Sequence, residues 1–200
     1  MKKIGLLIAI LLLTSCFIGA GENSKIIPMG SNKFPEITAI DLHGKKQLLP
    51  SAFNGEYNII AIGFEREHQE PINTWINYLE KSKILNDKIK FYEVPLIYEM
   101  SKFSRAWVNN GMRFGIASNE ARLRTITVYT NREDFFKIMN MKSDRIYLLV
   151  VNKSGEILFK AEGYASENNI NSLEKFFKKI KSLNANYLAH EYFNRDWKPM

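Results

Sequence analysis

Only one cysteine, Cys16, occurs in 200 residues. That scarcity excludes an internal disulfide and any Cys-x-x-Cys centre, since each needs two thiols in one chain. Histidine is nearly as rare. His43, His68 and His190 stand far apart, none inside a dense set of ligand-type residues, so neither a metal site nor a cofactor is expected. Long hydrophobic runs are missing too: the longest, Ile4 to Leu13, is about half the roughly 20 residues that a membrane-spanning helix needs. Charge of one sign is in small excess. The net charge of +7 falls to +5 without Lys2 and Lys3, and no basic run is interleaved with aromatics, so a nucleic-acid partner is not expected. What is plentiful is apolar and aromatic material, 46% and 12% of residues, which fits one globular domain and not a disordered chain.

The first residues have the composition of an export signal: Lys2 and Lys3, an apolar core, then small residues. Leu13-Thr14-Ser15-Cys16 resembles the lipobox of bacterial lipoproteins, in which the cysteine becomes the lipidated first residue; the alternative is an ordinary signal cut near Ala20. The resemblance implies lipidation at Cys16 and a place in the bacterial cell envelope, the domain lying outside the cytoplasm on a membrane anchor. Residues 17–33 are rich in Gly, Ser, Asn and Pro without a period and read as a tether. The expected organisation is therefore 1–16 signal and lipobox, 17–33 tether, 34–183 folded domain and 184–200 an unusually aromatic tail that either packs on the domain or offers a docking surface.

Within the domain the hydrophobic period alternates between 2 and 3.6. Residues 37–42, His43-Gly44 and 45–49 predict a hairpin, followed by a short helical turn at 50–53. The nearly continuous apolar run 57–64 predicts a strand covered on both faces. Ile72, Trp75, Ile76 and Leu79 recur at helical spacing after Pro71. A strand is expected at 91–97, and a helix capped by Ser101 with Phe103, Trp107 and Val108 in its apolar stripe and Gly111 at its end. Another strand at 125–129 and a short helix after Asn131 follow. A hairpin turns at Lys153-Ser154-Gly155, and a last helix follows Ser166 with Ile170, Leu173, Phe176, Phe177, Ile180 and Leu183 on one side. Trp75 and Trp107 are both expected in the core, and the lysines at 175, 178, 179 and 181 on a solvated face. Hairpin, three strand–helix units, hairpin and closing helix argue for an α/β domain with a central, partly parallel sheet covered on both faces.

This order, with Leu42-His43-Gly44-Lys45 and the turn around Ser154-Gly155, resembles the thioredoxin-like superfamily, and the extra strand and helix from Thr125 to Met139 look like its peroxiredoxin branch. It implies a three-layer sandwich with an N-terminal hairpin and a central mixed sheet. Gly63 to Gln69, Tyr92-Glu93-Val94-Pro95, Asn110-Gly111-Met112-Arg113 and Arg124 to Tyr129 resemble a set of cysteine-lacking bacterial thioredoxin-like proteins, distantly similar to the mitochondrial ATP synthase assembly factors. In the redox frame that this resemblance implies, the two sulfur positions are filled by Gln69 and Ile72. The proline usual before the penultimate strand is missing from Met141 to Arg145. Neither an amide nor an alkyl group replaces a thiolate nucleophile, so disulfide exchange and thiol peroxidase activity are not expected.

Ligands of open α/β sheets gather at the carboxyl ends of strands, near helix amino termini. That rule singles out Arg66, His68 and Gln69 after the first core strand. Arg113 and Arg124, with Arg122, form an arginine cluster suited to carboxylate or phosphate, or to pairing with Glu65, Glu67 or Glu120. No residue is assigned as catalytic. The expected function is a membrane-anchored, non-redox binding or assembly module with an envelope protein as partner. The alternative is an envelope enzyme, a non-thiol peroxidase or oxidoreductase, with His68 as general base beside Arg66 and Gln69; a haem or metal carrier is a third reading.

Overall fold

The computed structural model describes residues 25–30, 32–116 and 118–195, with 184–195 through their backbone alone. Cys16, with the signal and the first part of the tether, lies outside the described residues. Seven strands form one sheet in the order β2-β1-β5-β4-β3-β6-β7. They are β1 (Ile37–Asp41), β2 (Lys46–Leu49), β3 (Tyr57–Gly63), β4 (Ile89–Tyr98), β5 (Ile126–Thr130), β6 (Tyr147–Asn152) and β7 (Ile157–Glu162). β3, β4 and β5 run parallel, and the hairpins β1–β2 and β6–β7 pair antiparallel at the two sides. Among the described residues five α-helices accompany the sheet: α1 (Gln69–Lys81), α2 (Lys102–Gly115), α3 (Asn119–Leu123), α4 (Arg132–Met139) and α5 (Glu167–Arg195).

The sheet carries a core on each face because β3, β4 and β6 are apolar on both. Ile60, Ile62, Val94, Val128 and Leu149 pack under Phe34, Phe53 and the α4 residues Phe135 and Met139. On the opposite face Ile59, Ala61, Phe91 and Leu148 pack under Ile72, Trp75 and Leu79 of α1 and Leu173 of α5. This is the α/β, three-layer, thioredoxin-like architecture expected from the sequence.

Several local expectations are corrected. The last expected tether residues are fastened to the domain: Ile26 packs on the core, Ile27 bridges Glu36, and Lys33 bridges Glu156. α2 continues through Gly111 to Gly115, since an exposed glycine costs a helix only about 1 kcal/mol and no turn is imposed there. The short α3, capped by Ser118 Oγ accepting from Ala121 N, was not expected. α5 continues as helix through 184–195, so the aromatic tail begins inside an element; its side chains lie outside the described residues. Trp75 is fully buried, but Trp107 is 75% exposed, with Phe103 and Phe114 still more open. The only α2 residue buried is Arg105, held by Met100 O and stacked 5.1 Å from the centre of the Tyr129 ring.

Candidate functional site

The parallel pairing of β3 and β4 places Ala61 beside Glu93 and Gly63 beside Pro95. Side chains alternate across a strand, so Phe91, Glu93, Pro95 and Ile97 share the face that α1 covers. Beyond Glu93, residues of α1, α2 and the end of β4 enclose a cavity of about 930 Å³. Ile72 and Ile76 of α1, Pro95 and Ile97 of β4, and Val108 and Met112 of α2 wall it; Glu65, Arg66, Gln69, Glu93 and Arg124 supply its polar part. The opening lies at the carboxyl ends of β3 and β4, where the sheet rule locates ligands.

Glu93 is the group that sequence reasoning passed over. It is buried, and burial is the first cause of a carboxyl pKa raised above the ordinary value, opposed by the Gln69 hydrogen bond and the Arg124 charge and assisted by Glu80. Its partners are loose. Gln69 Nε2 donates to Oε2 at 3.4 Å, and Arg124 Nε lies 4.0 Å from Oε1. Arg124 Nη2 donates to Glu80 at 3.2 Å, and the guanidinium lies 5.2 Å from the centre of the Phe91 ring, while its buried Nε has no hydrogen-bond partner. A carboxyl and a guanidinium therefore face the cavity with unused hydrogen-bonding capacity, a costly arrangement in a protein interior. A carboxylate in the middle of an otherwise apolar strand was the signal available in the sequence.

Gln69 and Ile72, expected at the opening from the sequence, each have partners of their own. Gln69 bridges to Asn73 Oδ1 at 3.0 Å as well as to Glu93. Ile72 is buried against Gly63, where an added Cβ would stand 2.9 Å from its Cδ1. No protein-family model and no curated protein sequence matches the chain. Among solved structures, it is similar to the pneumococcal exposed lipoprotein thioredoxin of Streptococcus pneumoniae, at 12% identity and TM-score 0.48 over 72% of this chain and 98% of that one. It is also similar to the thioredoxin domain of a thiol-disulfide oxidoreductase from Bacteroides vulgatus, at 18% identity and TM-score 0.42 over 72% and 94%. A third is StoA from Bacillus subtilis, at 12% identity and TM-score 0.43 over 70% and 94%. Likeness at this level assigns no activity to the chain.

Of the five candidate residues, Arg66, Gln69 and Arg124 line the cavity together; Arg113 is exposed on α2 and does not. His68 is drawn out of the site. It sits in a 3-10 turn, Arg66–His68, only 8% exposed, and its Nδ1 accepts from Phe64 N at 3.0 Å and Glu65 N at 3.4 Å. That bonding fixes the neutral ring with its proton on Nε2, which leaves no basic nitrogen for catalysis. Two expected pairings also change: Glu65 pairs with Arg132 at 2.7 Å, and Arg122 Nε donates to Ile116 O. Among the described residues no group of three His, Cys, Asp or Glu is placed to hold a metal ion.

His68 and Glu93 predict opposite pH effects. Burial leads the causes that lower the His68 pKa, so the unfolded chain binds the extra proton first. His68 then contributes stability that is full above its ordinary value near 6.5 and fades as pH falls below it. The loss of stability between pH 7 and pH 5 should be smaller in His68→Gln than in the parent chain when urea midpoints are compared. Glu93 works the other way. Its neutral form is favoured on folding, so its contribution is full below the ordinary carboxyl value and is lost as pH rises through the raised one. Glu93→Gln should match the parent at pH 4 and exceed it progressively toward pH 8; equal pH slopes would show that Glu93 titrates normally.

Proposed function

We propose that the chain is a non-redox thioredoxin-like binding module of the bacterial cell envelope, held to a membrane through lipid on Cys16, whose ligand or partner occupies the cavity over β4. One observation carries the reading. The opening at the carboxyl ends of β3 and β4 is kept, with buried polar groups facing it, although Gln69 and Ile72 stand where the fold would keep sulfur. A closed, abandoned site would have no reason to leave Glu93 and the Arg124 Nε loosely paired. The lipid reading rests on the segment before Phe17, and no helix among the described residues is long and apolar enough to cross a membrane. An assembly role rests on the distant sequence resemblance alone. The enzyme alternative loses support because the His68 Nδ1 is occupied by two backbone donors.

A photoreactive amino acid placed at Val108, on the cavity wall, tests the binding claim in the full chain in its own envelope. The expected result is an adduct of defined mass that is missing when the same residue is placed at Lys153, in the β6–β7 turn. No adduct from Val108, or equal adducts from both positions, contradicts it. Metabolic labelling with an alkyne fatty acid tests the anchor separately: label should be present in the parent and lost in Cys16→Ser.

A further inference from the structure

Phe103, Trp107 and Phe114 are 84%, 75% and 87% exposed. At about 100° per residue these three fall within roughly 40° of one another on α2, forming a single aromatic row that points away from the domain. The opposite side carries the buried Arg105 and the cavity residues Val108 and Met112. α2 therefore has two apolar faces, and the domain uses only one. Lys102 and Arg113, both exposed, fall together on one flank of the aromatic row, and α2 contains no acidic residue.

We infer that the outer face of α2 is a membrane-contact surface, with Phe103, Trp107 and Phe114 seated in the interface of an anionic bilayer and Lys102 and Arg113 against its headgroups. Aromatic rings on one face and cations beside them are the composition of helices that lie in the bilayer interface, and basic side chains add attraction to anionic lipid. Glu99 and Glu120, the acids nearest in sequence, stand outside the helix. The course of the chain supports the same occupant. Lys25 and Ile26 share a surface pocket with Glu99 and Asn131, so the tether meets the domain two residues from the α2 cap, Ser101. Nine peptide links from Cys16 to Lys25 span at most about 30 Å, and α2 is about 21 Å long, so lipid on Cys16 leaves the whole helix within reach of the same membrane. The surface extends the envelope reading, but its test does not need the lipid.

The test uses residues 17–200, which contain all the described structure and neither the signal nor the cysteine, mixed with vesicles of phosphatidylcholine alone or of phosphatidylglycerol and phosphatidylcholine in equal parts. Sedimentation with the anionic vesicles is expected, and the tryptophan emission of a Trp197→Phe background, in which Trp75 is already buried and Trp107 is exposed, should shift to the blue. Replacing Phe103, Trp107 and Phe114 together by serine should reduce partitioning about tenfold or more, with the thermal melt unchanged because all three are exposed. Lys102→Gln with Arg113→Gln should weaken binding to anionic vesicles and leave the weaker binding to neutral ones alone. No sedimentation with either vesicle, or sedimentation that survives the triple serine variant, overturns the inference. So does a chain that is dimeric in solution and becomes monomeric on the triple substitution without any vesicle binding, which assigns the row to a second copy. A full-length parent that takes up no fatty-acid label, with vesicle binding by residues 17–200 intact, would sink the Cys16 anchor and leave this surface standing.

Discussion

Glu65→Ala should destabilise the folded chain by about 2 to 3 kcal/mol, while Arg132→Met costs less. The Arg132 side chain is only 2% exposed, and Glu65, its ion-pair partner among the described residues at 2.7 Å, is 51% exposed. Its guanidinium lies 4.2 Å from the centre of the Tyr98 ring, 5.6 Å from that of Phe136 and 5.8 Å from that of Phe64, and its Nε has no hydrogen-bond partner. Removing Glu65 leaves a buried cation without its counter-charge, the expensive way to break a buried pair. Removing Arg132 takes the charge out of the interior and leaves a carboxylate that water already solvates, while methionine keeps much of the contact with the rings. Urea unfolding of both variants reads the asymmetry. A reversed order would mean that the rings, not Glu65, hold the guanidinium. The Glu65 side chain also lines the cavity, so Glu65→Ala should loosen its rim as well as the core, while the backbone N–H that donates to His68 Nδ1 is kept.

Trp75→Ala should cost about 3 to 5 kcal/mol, the range for deleting a buried large aromatic, and lower the melting temperature by roughly 10 °C in a chain of this size. Trp75 fills the space between α1, the sheet and α5, and its Nε1 donates to Gly163 O at 2.8 Å. That bond ties α1 to the corner after β7, and the Thr74 hydroxyl accepts from Ala165 N at the same corner. Trp75→Phe separates packing from hydrogen bonding: it keeps most of the ring and should cost about 1 to 2 kcal/mol for the lost donor and the carbonyl left behind. Because α1 forms one wall of the cavity, Trp75→Ala is also expected to weaken any ligand captured there, with Val108 and Glu93 untouched. Equal stability of the alanine variant and the parent would contradict the assigned packing of α1.

The fold was legible because its main elements differ in hydrophobic period. The unbroken run of β3, the 3.6 spacing from Ile72 to Leu79 and the stripe beginning at Ile170 each match one structure only. α2 was harder for a physical reason. Phe103, Trp107, Val108 and Met112 mark two apolar faces, and periodicity shows where faces are but not which one meets the domain. The site was half legible. Gln69, Arg66 and Arg124 follow from the strand-end rule and the arginine cluster, and the cavity does bring them together. Glu93 was hidden inside the expected strand 91–97, and Arg132, in the short helix after Asn131, was not singled out. Their burial arises from contacts with α1, Phe64 and Tyr98, distant in sequence, which a local pattern does not record. His68 looked exposed between two carboxylates; the tight turn after β3 folds it back onto the backbone N–H groups of Phe64 and Glu65.

Native mass spectrometry of the chain isolated from its host cells tests the central claim most directly, with the parent compared to Val108→Trp, which puts an indole on the cavity wall and leaves Glu93, Arg124 and the aromatic row of α2 unsubstituted. The account predicts a bound species of defined mass, or a defined protein partner, on the parent and its loss from the variant while both melt alike. A parent that carries nothing, or a species retained unchanged on Val108→Trp, would contradict the assignment of this cavity as the binding site.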